Sequence, residues 1–248
     1  FKGTFTYAHN KVLEYDEPDF QKYPNISRVG HSVDQQLLYI AERLFIDDSE
    51  VQRNPKQNLG GWVSGGDIKY KNLPDVNGNY DNVIDSNDRQ YTGMPTTPEI
   101  VYGFGPSFRY KKFDFSFFFQ GAARVSIMMN GIHPFGAEGI RNVLQFIADD
   151  YWSETNQNIY AEYPRLSKRD NENNTKASTY WQRNGAFLKL KNLEVGFNHK
   201  FFRVYLRGSN LLTFSPFKYW DPEMGSGSGL SYPTQRVFNV GVQFSINK

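Results

Sequence analysis

The sequence predicts an all-β fold in which long antiparallel strands, joined by long loops, form part of a transmembrane β-barrel. Three observations support this prediction. Apolar and polar residues alternate over Phe113–Gly121, aromatic residues make up 17% of the chain, and the mean hydropathy is nevertheless −0.63. Barrel strands that face lipid on one side and water on the other alternate in this way, and barrels carry aromatic girdles at both interfaces. Composition by itself fits an aromatic-rich β-sandwich equally well.

Charge, cysteine content and hydropathy argue against several classes of protein. The formal net charge is only +2, which gives no electrostatic basis for binding nucleic acid. Because the chain has no cysteines, a disulfide framework and a Cys-based metal site are excluded. No run of ~18 apolar residues is present to form a transmembrane helix. Phe1 opens directly into a strand-like pattern without a signal peptide, so we expect a fragment whose N-terminal part is missing.

The N-terminal region contains three short predicted strands. Residues 1–8 alternate Phe and Tyr with Lys and Thr, which indicates a strand with one apolar face. The polar segment 10–24 is predicted to be a loop. Residues 37–46 contain recurring apolar side chains whose period fits a strand or a helix, and we favour a strand. Residues 62–70 are predicted to form the third strand.

The central region holds the two clearest strands. Residues 100–110 alternate large apolar side chains with glycines, and Pro106 interrupts the pattern, which predicts a bulge or a lost ladder hydrogen bond. The polar turn at Lys111 and Lys112 leads into Phe113–Gly121, where phenylalanine occupies four successive positions of one face. A soluble sandwich would more often place Val, Ile and Leu there.

The C-terminal region predicts three further strands. Within residues 185–197 the parity of the apolar positions switches at Lys191 and Asn192, which indicates a β-bulge. A short turn leads to the next strand at 202–211. The last strand alternates apolar and polar residues from Phe238 to Ile246.

Three long segments between the strands are predicted to be loops, at 71–97, 129–180 and 215–232. In the second of them, apolar residues between 140 and 147 recur at helical spacing, so a helix is expected there. Residues 170–179 contain few apolar side chains, and we expect them to be mobile.

The first of these loops has the spacing of a structural calcium site. In EF-hand-like loops, oxygen ligands on alternate residues turn inward around one hard cation. The candidate Ca²⁺ ligands, at loop positions 1, 3, 5, 7, 9 and 12, are Asn77, Asn79, Asp81, Val83 through its carbonyl, Asp85 and Asp88. The loop departs from the usual pattern because Asn82 replaces Gly at position 6 and an Asp replaces Glu at position 12. A register that starts at Asp75 stays open, and so does a loop of Asx turns without metal.

The sequence contains no constellation of catalytic residues. The four histidines, at positions 9, 31, 133 and 199, are far apart and form no HExxH or other paired motif. The glycine-rich run Gly225–Gly229 has a glycine where a GxSxG nucleophile elbow has its serine. We therefore expect no enzymatic activity.

Short motifs along the chain resemble the C-terminal part of a known transporter family. They are GDIKY at 66–70, VIDSND at 83–88, YGF at 102–104, FQG at 119–121 and RVYLRGSNL at 203–211. In order and spacing these motifs look like those of SusC/RagA-type TonB-dependent outer-membrane transporters.

This resemblance implies a larger protein. Residues 1–248 would be the C-terminal part of a TonB-dependent receptor β-barrel in the outer membrane of a Gram-negative, Bacteroidota-like bacterium. Such barrels have about 22 strands and a plugged lumen, so further strands, the plug and the region that contacts the TonB complex would lie upstream. The implied function is TonB-powered import of glycans or peptides that a SusD-like surface lipoprotein captures above the extracellular loops.

Tryptophans in the long loops have two implied roles. Trp152, Trp181 and Trp220 would either stack on a sugar of the substrate or belong to the aromatic girdle that contacts outer-membrane lipid. The girdle is favoured because every membrane barrel needs one.

The main alternative is a calcium-dependent carbohydrate-binding β-module, and a third interpretation is a non-transporting structural or adhesin barrel. The module would use the 77–88 loop as a structural calcium site and exposed aromatic residues to bind a glycan. A module of this length should bury one face of every strand and close on itself. The phenylalanine face of Phe113–Gly121 has no evident internal partner, which favours the transporter.

Overall fold

The computed structural model of the protein describes residues 1–135, 140–168 and 170–245. The strands in these ranges are β1 Lys2–Tyr7, β2 Gln36–Tyr39, β3 Ala41–Leu44, β4 Lys56–Gln57, β5 Ile68–Tyr70, β6 Val83–Ile84, β7 Arg89–Thr92, β8 Ile100–Gly105, β9 Ser107–Tyr110, β10 Phe113–Ala123, β11 Ser126–Met128, β12 Gln182–Asn184, β13 Phe187–Asn198, β14 Phe202–Phe214 and β15 Val237–Phe244. The α-helices are α1 Asp48–Arg53, α2 Gln145–Asp149 and α3 Glu172–Thr175. Short 3-10 helices span Pro24–Ile26, Ser86–Asp88 and Pro222–Met224. Among the described residues, no helix has the length and apolar character needed to cross a membrane.

Seven strands form one antiparallel sheet, which we call the wall. Its strand order is β1-β8-β10-β13-β14-β15, and β9 also pairs with β10. β8 pairs with the C-terminal half of β10 and β9 with its N-terminal half, so Pro106 falls at the break between them. The interruption predicted at this proline is confirmed. The wall is an open antiparallel sheet, as the predicted all-β segment of a barrel requires.

The predicted β-bulge in β13 is also confirmed. The register between β13 and β14 shifts between Leu190 and Asn192, and β10 shifts against β13 between Phe118 and Phe119. Lys191 is the extra residue of β13 opposite β10. Because side chains alternate with a period of two, this one extra residue moves the apolar side chains after the bulge to the same face as those before it. Leucines and aromatic residues on both sides of the bulge therefore lie on one face.

All long connections leave the wall at one end, and the opposite end has short turns. Residues 8–99, 124–186 and 215–236 connect strands at the first end, whereas residues 111–112 and 199–201 turn the chain at the second. Bacterial outer-membrane barrels have this asymmetry, with long extracellular loops and short periplasmic turns.

The buried hydrophobic core lies in the long connections and not in the wall. Four two-stranded sheets form there, β2–β7, β3–β5, β4–β6 and β11–β12. The buried cluster consists of Leu38, Tyr39, Leu44, Leu59, Ile68, Tyr70, Ile84, Ile127, Met128, Met129, Ile132, Ile147, Trp152, Ala161, Tyr163, Trp181 and Phe217. We call this body, made of the described residues of 36–99, 125–184 and 215–220, the loop assembly.

Several local expectations need correction. The predicted strand at 37–46 is two strands, β2 and β3, and only Ile68–Tyr70 of the predicted 62–70 strand is extended in a sheet. The helix expected around 140–147 is a single turn, Gln145–Asp149. The last strand is described to Phe244, and Ile246 lies outside the described residues.

The expectation that residues 170–179 are mobile is wrong. Helix α3 forms within this segment, and Asn173 and Asn174 are 0% and 5% exposed. Composition was misleading because these asparagine side chains are held in the interior by hydrogen bonds, which a count of apolar residues does not detect. Buried amides are stable when their donors and acceptors are satisfied, as they are here.

Candidate functional site

The wall has one apolar and one polar face. Its register places four apolar residues side by side across neighbouring strands: Phe115, Val195, Leu206 and Val240. On the apolar face Val240 and Phe244 are each 76% exposed. The adjacent positions face the other way and are polar or small, namely Asp114, Gly196, Tyr205 and Gly241. An exposed apolar surface of this extent must contact a partner or lipid.

Charged side chains on the polar face form a network across three strands. Arg203 contacts Asp114 at 2.5 Å and Glu194 at 2.6 Å, and Arg207 contacts Glu194 at 2.7 Å. The four residues lie on β10, β13 and β14, so the network links strands beyond their backbone ladders. Networks of this kind contribute more to stability than isolated surface pairs.

Gly196 provides the space in which the Asp114–Arg203 ion pair crosses β13. A Cβ atom at this position would lie 2.5 Å from Asp114 Oδ2 and 2.6 Å from Arg203 Nη2. Both distances are too short for real contacts, so any side chain here must displace the ion pair.

We expect Gly196→Ala to lower the free energy of unfolding of the whole protein in detergent by about 1–3 kcal/mol, because the added methyl group overpacks the site and displaces the ion pair. The thermal unfolding midpoint should fall accordingly. Gly3→Ala is the matched control, because its Cβ would meet only the side chain of Phe1 at 3.3 Å and the Gly103 carbonyl at 3.9 Å. Alanine in a strand is otherwise favoured over glycine. Equal midpoints for the two variants would contradict the role given to Gly196.

Asp67 lies at the centre of a buried polar network in the loop assembly. Its side chain is fully buried, and its Oδ1 lies 2.7 Å from Arg165 Nε. The side-chain amides of Asn171 and Asn174 donate to the same oxygen at 3.0 and 2.9 Å. The backbone N–H of Ser64 donates to Oδ2 at 2.8 Å. Arg165 Nη2 donates to Oδ2 at 3.1 Å, so one carboxylate satisfies donors from three separate segments.

The network continues through α3 into the core. The Gln57 amide donates to Asn173 Oδ1 at 2.6 Å, and the Tyr70 hydroxyl donates to the Asn173 carbonyl at 2.7 Å. Trp181 Nε1 donates to the Asn174 carbonyl at 2.7 Å. Sequence reasoning missed these residues as a site, and the signals available were the GDIKY motif around Asp67 and the cluster of asparagines at 171–174.

Glu50, on helix α1, fastens one side of the loop assembly. Arg43 Nη1 and Nη2 lie 3.0 and 2.5 Å from the two carboxylate oxygens, and Lys69 Nζ lies 3.0 Å from Oε1. The backbone N–H of Ile46 donates to Oε2 at 2.9 Å. Partial burial by itself would raise the pKa of Glu50, but these hydrogen bonds and the Lys69 charge outweigh it and lower the pKa to about 2.

This shift predicts an acid-sensitive segment. Since the pKa of folded Glu50 lies below its ordinary value of 4.5, the stabilisation is complete above that pH and is lost as the pH falls toward 2. The loss amounts to about 3 kcal/mol.

We expect pepsin cleavage around α1 to rise steeply over this range in the native protein. In Glu50→Gln, cleavage should already be high near pH 4.5 and should change little as the pH falls. The control Glu42→Gln should show the same pH dependence as the native protein. Parallel curves for native protein and Glu50→Gln would contradict this prediction.

In the predicted calcium loop, the two C-terminal candidates make backbone contacts. Asp88 is buried, and its carboxylate accepts hydrogen bonds from the N–H groups of Leu73 at 2.6 Å and Asp85 at 2.8 Å. Asp85 in turn accepts from the Asn87 N–H at 2.8 Å, and Asp85 and Asp88 together form a capping box on the 3-10 helix. Burial raises the pKa of Asp88.

The N-terminal candidates lie on an exposed turn. Asp81 accepts a hydrogen bond from the Val83 N–H at 3.0 Å, and Asp75 accepts from the N–H groups of Asn77 and Asn79, each at 2.9 Å. Asn82 has a left-handed φ of 61°, as required at position 6 of the predicted loop. Within the described ranges, no three His, Cys, Asp or Glu side chains are grouped to hold a metal. Calcium binding through these carboxylates, amides and the Val83 carbonyl stays a prediction.

The three tryptophans predicted to contact sugar or lipid pack against protein in this structure. Trp152 and Trp181 are each 6% exposed and belong to the core of the loop assembly. A Cβ on Gly66 would lie 2.2 Å from the Trp152 ring, so the ring lies directly on this glycine. Trp220 is half-buried and donates from Nε1 to the Gly225 carbonyl at 3.0 Å. Their roles in substrate stacking or in a girdle stay predictions.

Comparison with known proteins supports the same family as the sequence motifs. The chain is 30% identical to TonB-dependent receptor P3 of Formosa agariphila over 96% of its length, and 28% identical to TonB-dependent receptor P26 of the same organism over 94%. It spans 26% of the length of each of these relatives. No protein-family model matches the chain.

Solved structures confirm the fold. The chain superposes on the RagAB peptide transporter with a TM-score of 0.62 over 98% of its length, at 18% identity, and covers 26% of that chain. The "closed-closed" state of the RagAB peptide importer gives the same TM-score and coverage. The resemblance predicted from the sequence is therefore confirmed: over nearly its whole length the chain corresponds to a segment of a SusC/RagA-like TonB-dependent transporter.

Proposed function

We propose that the chain is the C-terminal part of an outer-membrane β-barrel that imports nutrients, and that it has no enzymatic activity. The observation that carries the proposal is the two-faced wall, with an apolar face that needs lipid and a polar face crossed by an ion-pair network. β1 and β15 are its edges, and neither has a second partner strand within the described residues. In a larger barrel, further strands would pair with both edges and the polar face would line the lumen.

The loop assembly would then lie on the extracellular side. Its polar network and hydrophobic core make it a preformed body at the barrel mouth, suited to meet a SusD-like surface lipoprotein. The source of energy would be the TonB complex, which would act through a part of the transporter outside this chain. The substrate would be a glycan or a peptide, and the likeness to a peptide transporter supports the second.

Fractionation of source cells tests this function. An antibody against residues 215–232 should detect a band far above 28.7 kDa in the outer membrane, and boiling should shift its mobility because barrels resist unfolding in cold detergent. Deletion of the gene should abolish growth on the substrate polysaccharide or peptide mixture, and complementation should restore it. A soluble band near 28.7 kDa without a heat shift would overturn the proposal and favour the carbohydrate-binding module.

We also propose that the 77–88 loop binds a structural calcium ion. The left-handed Asn82 and the exposed carboxylate of Asp81 support it. Terbium, a luminescent calcium substitute, should be sensitised by the nearby Tyr80 in the whole protein, and calcium should compete with it. Asp81→Asn should abolish this signal, whereas Asp16→Asn, at an exposed position outside the loop, should leave it intact. A signal of equal strength in both variants would contradict the proposal.

A further inference from the structure

A buried lysine on the polar face of the wall is held by a loop segment that we call the strap, residues 221–229. Lys189 on β13 is 1% exposed, and its ammonium group contacts Asp221 and, at 2.6 Å, Glu223. Lys191, two residues further on, contacts the other oxygen of Glu223 at 2.9 Å. Two ammonium groups are thus neutralised by two carboxylates from one short segment.

The far end of the strap is fastened to the loop assembly. The Gly227 N–H donates to the Met128 carbonyl at 2.9 Å, and the Asn130 N–H donates to the Gly227 carbonyl at 2.9 Å. The strap therefore bridges the wall and the loop assembly. Gly225 and Gly227 have positive φ and open space around their Cα atoms, so this part of the strap can change conformation without side-chain clashes.

A cavity of about 390 Å³ lies between the strap and the wall. The wall contributes Gln120 and Phe187 to its lining, and the strap contributes Pro222, Glu223 and Gly225. Glu223, which contacts both lysines, thus lines this cavity, whereas Lys189 and Lys191 themselves do not.

The burial of Lys189 determines how the strap can open. A buried charge that loses its partner without replacement is strongly destabilised, because the lost Coulomb attraction is not replaced by hydration. Opening is therefore unfavourable in the absence of another anion. A ligand carboxylate in the cavity would replace Glu223 and leave the charge of the site unchanged.

We propose that Lys189 and Lys191 form a binding subsite for a carboxylate-bearing ligand. The strap occupies this subsite with its own Glu223 until the ligand displaces it and releases residues 223–229, while Asp221 stays on Lys189. The inference rests on the proposed import function, since it assigns a substrate chemistry to the polar face. The carboxylate can belong to an acidic sugar or to an acidic peptide.

Hydrogen exchange in the strap tests this inference on the whole transporter in detergent, without import. Sodium galacturonate is compared with galactose, and Gly-Glu-Gly amide with Gly-Gln-Gly amide, all at equal ionic strength. We expect at least one acidic probe, and neither neutral probe, to accelerate exchange at Gly227 and Asn130 about tenfold, which corresponds to ~1.4 kcal/mol. The responding pair identifies the source of the carboxylate.

Two variants complete the test. Glu223→Gln should exchange faster than native protein without any probe and should not respond further, while Glu42→Gln should behave as native protein.

Equal responses to acidic and neutral probes, no response to any probe, or native exchange in Glu223→Gln would each overturn the inference. Because the readout needs no transport, a transporter that imports but shows no strap response would contradict this inference alone. A soluble, non-transporting protein would contradict the proposed function.

Discussion

Asp67→Ala is expected to unfold the loop assembly locally while the wall stays paired. The substitution leaves Arg165 without its carboxylate and removes the acceptor of Asn171, Asn174 and the Ser64 N–H. Removing one partner of a buried ion pair typically costs about 3–5 kcal/mol. Because the Arg165 side chain is 27% exposed and keeps some hydration, we expect the lower end of this range.

The measurement is hydrogen exchange and trypsin cleavage in segment 165–181 of the whole protein. We expect faster exchange there, new cleavage after Arg165, and unchanged exchange in β10 and β13. Asp16→Ala, which removes an exposed carboxylate outside the network, should have no effect. A protected 165–181 segment in Asp67→Ala would show that the network does not hold the assembly together.

Leu193→Arg is expected to prevent stable insertion into the outer membrane. Leu193 lies near the middle of β13 on the apolar face, between Phe117 on β10 and Gly208 on β14. Arginine on the lipid side of a barrel costs about 2–4 kcal/mol at the bilayer midplane. The amount of heat-modifiable protein in the outer membrane should fall sharply.

Asn192→Arg is the matched control, because the neighbouring residue faces the polar side and is exposed there. The same charge is added one residue away, so both variants have the same net charge. We expect normal membrane levels for this control. Similar losses in both variants would contradict the assignment of the two faces.

The wall could be predicted from the sequence almost strand by strand. Alternation with a period of two is a local property, so the residues of β10, β13, β14 and β15 specify their own faces. The break at Pro106 and the bulge at Lys191 were predictable for the same reason, since a missing N–H and a parity switch are visible without knowing the neighbouring strand. The family resemblance added the larger barrel to which these strands would belong.

The loop assembly could not be predicted in this way. Its polar network joins Asp67 to Asn171 and Asn174, about a hundred positions along the chain, and each residue in isolation resembles an ordinary surface residue. Segment 170–179 therefore seemed mobile by composition, although its amides are buried. The environment of the tryptophans could not be predicted either. The sequence of a loop does not show whether a Trp ring faces solvent or packs on a residue such as Gly66, as the Trp152 ring does.

The sequence alone thus determined the two-faced strands, their interruptions and the family, because these depend on spacing between near neighbours. Only the tertiary structure decided which polar residues are buried, that Gly196 makes room for an ion pair, and that Lys189 is neutralised by the strap. These features depend on contacts between distant segments, where the free energy of burying a charge is set by the partners that the fold brings to it.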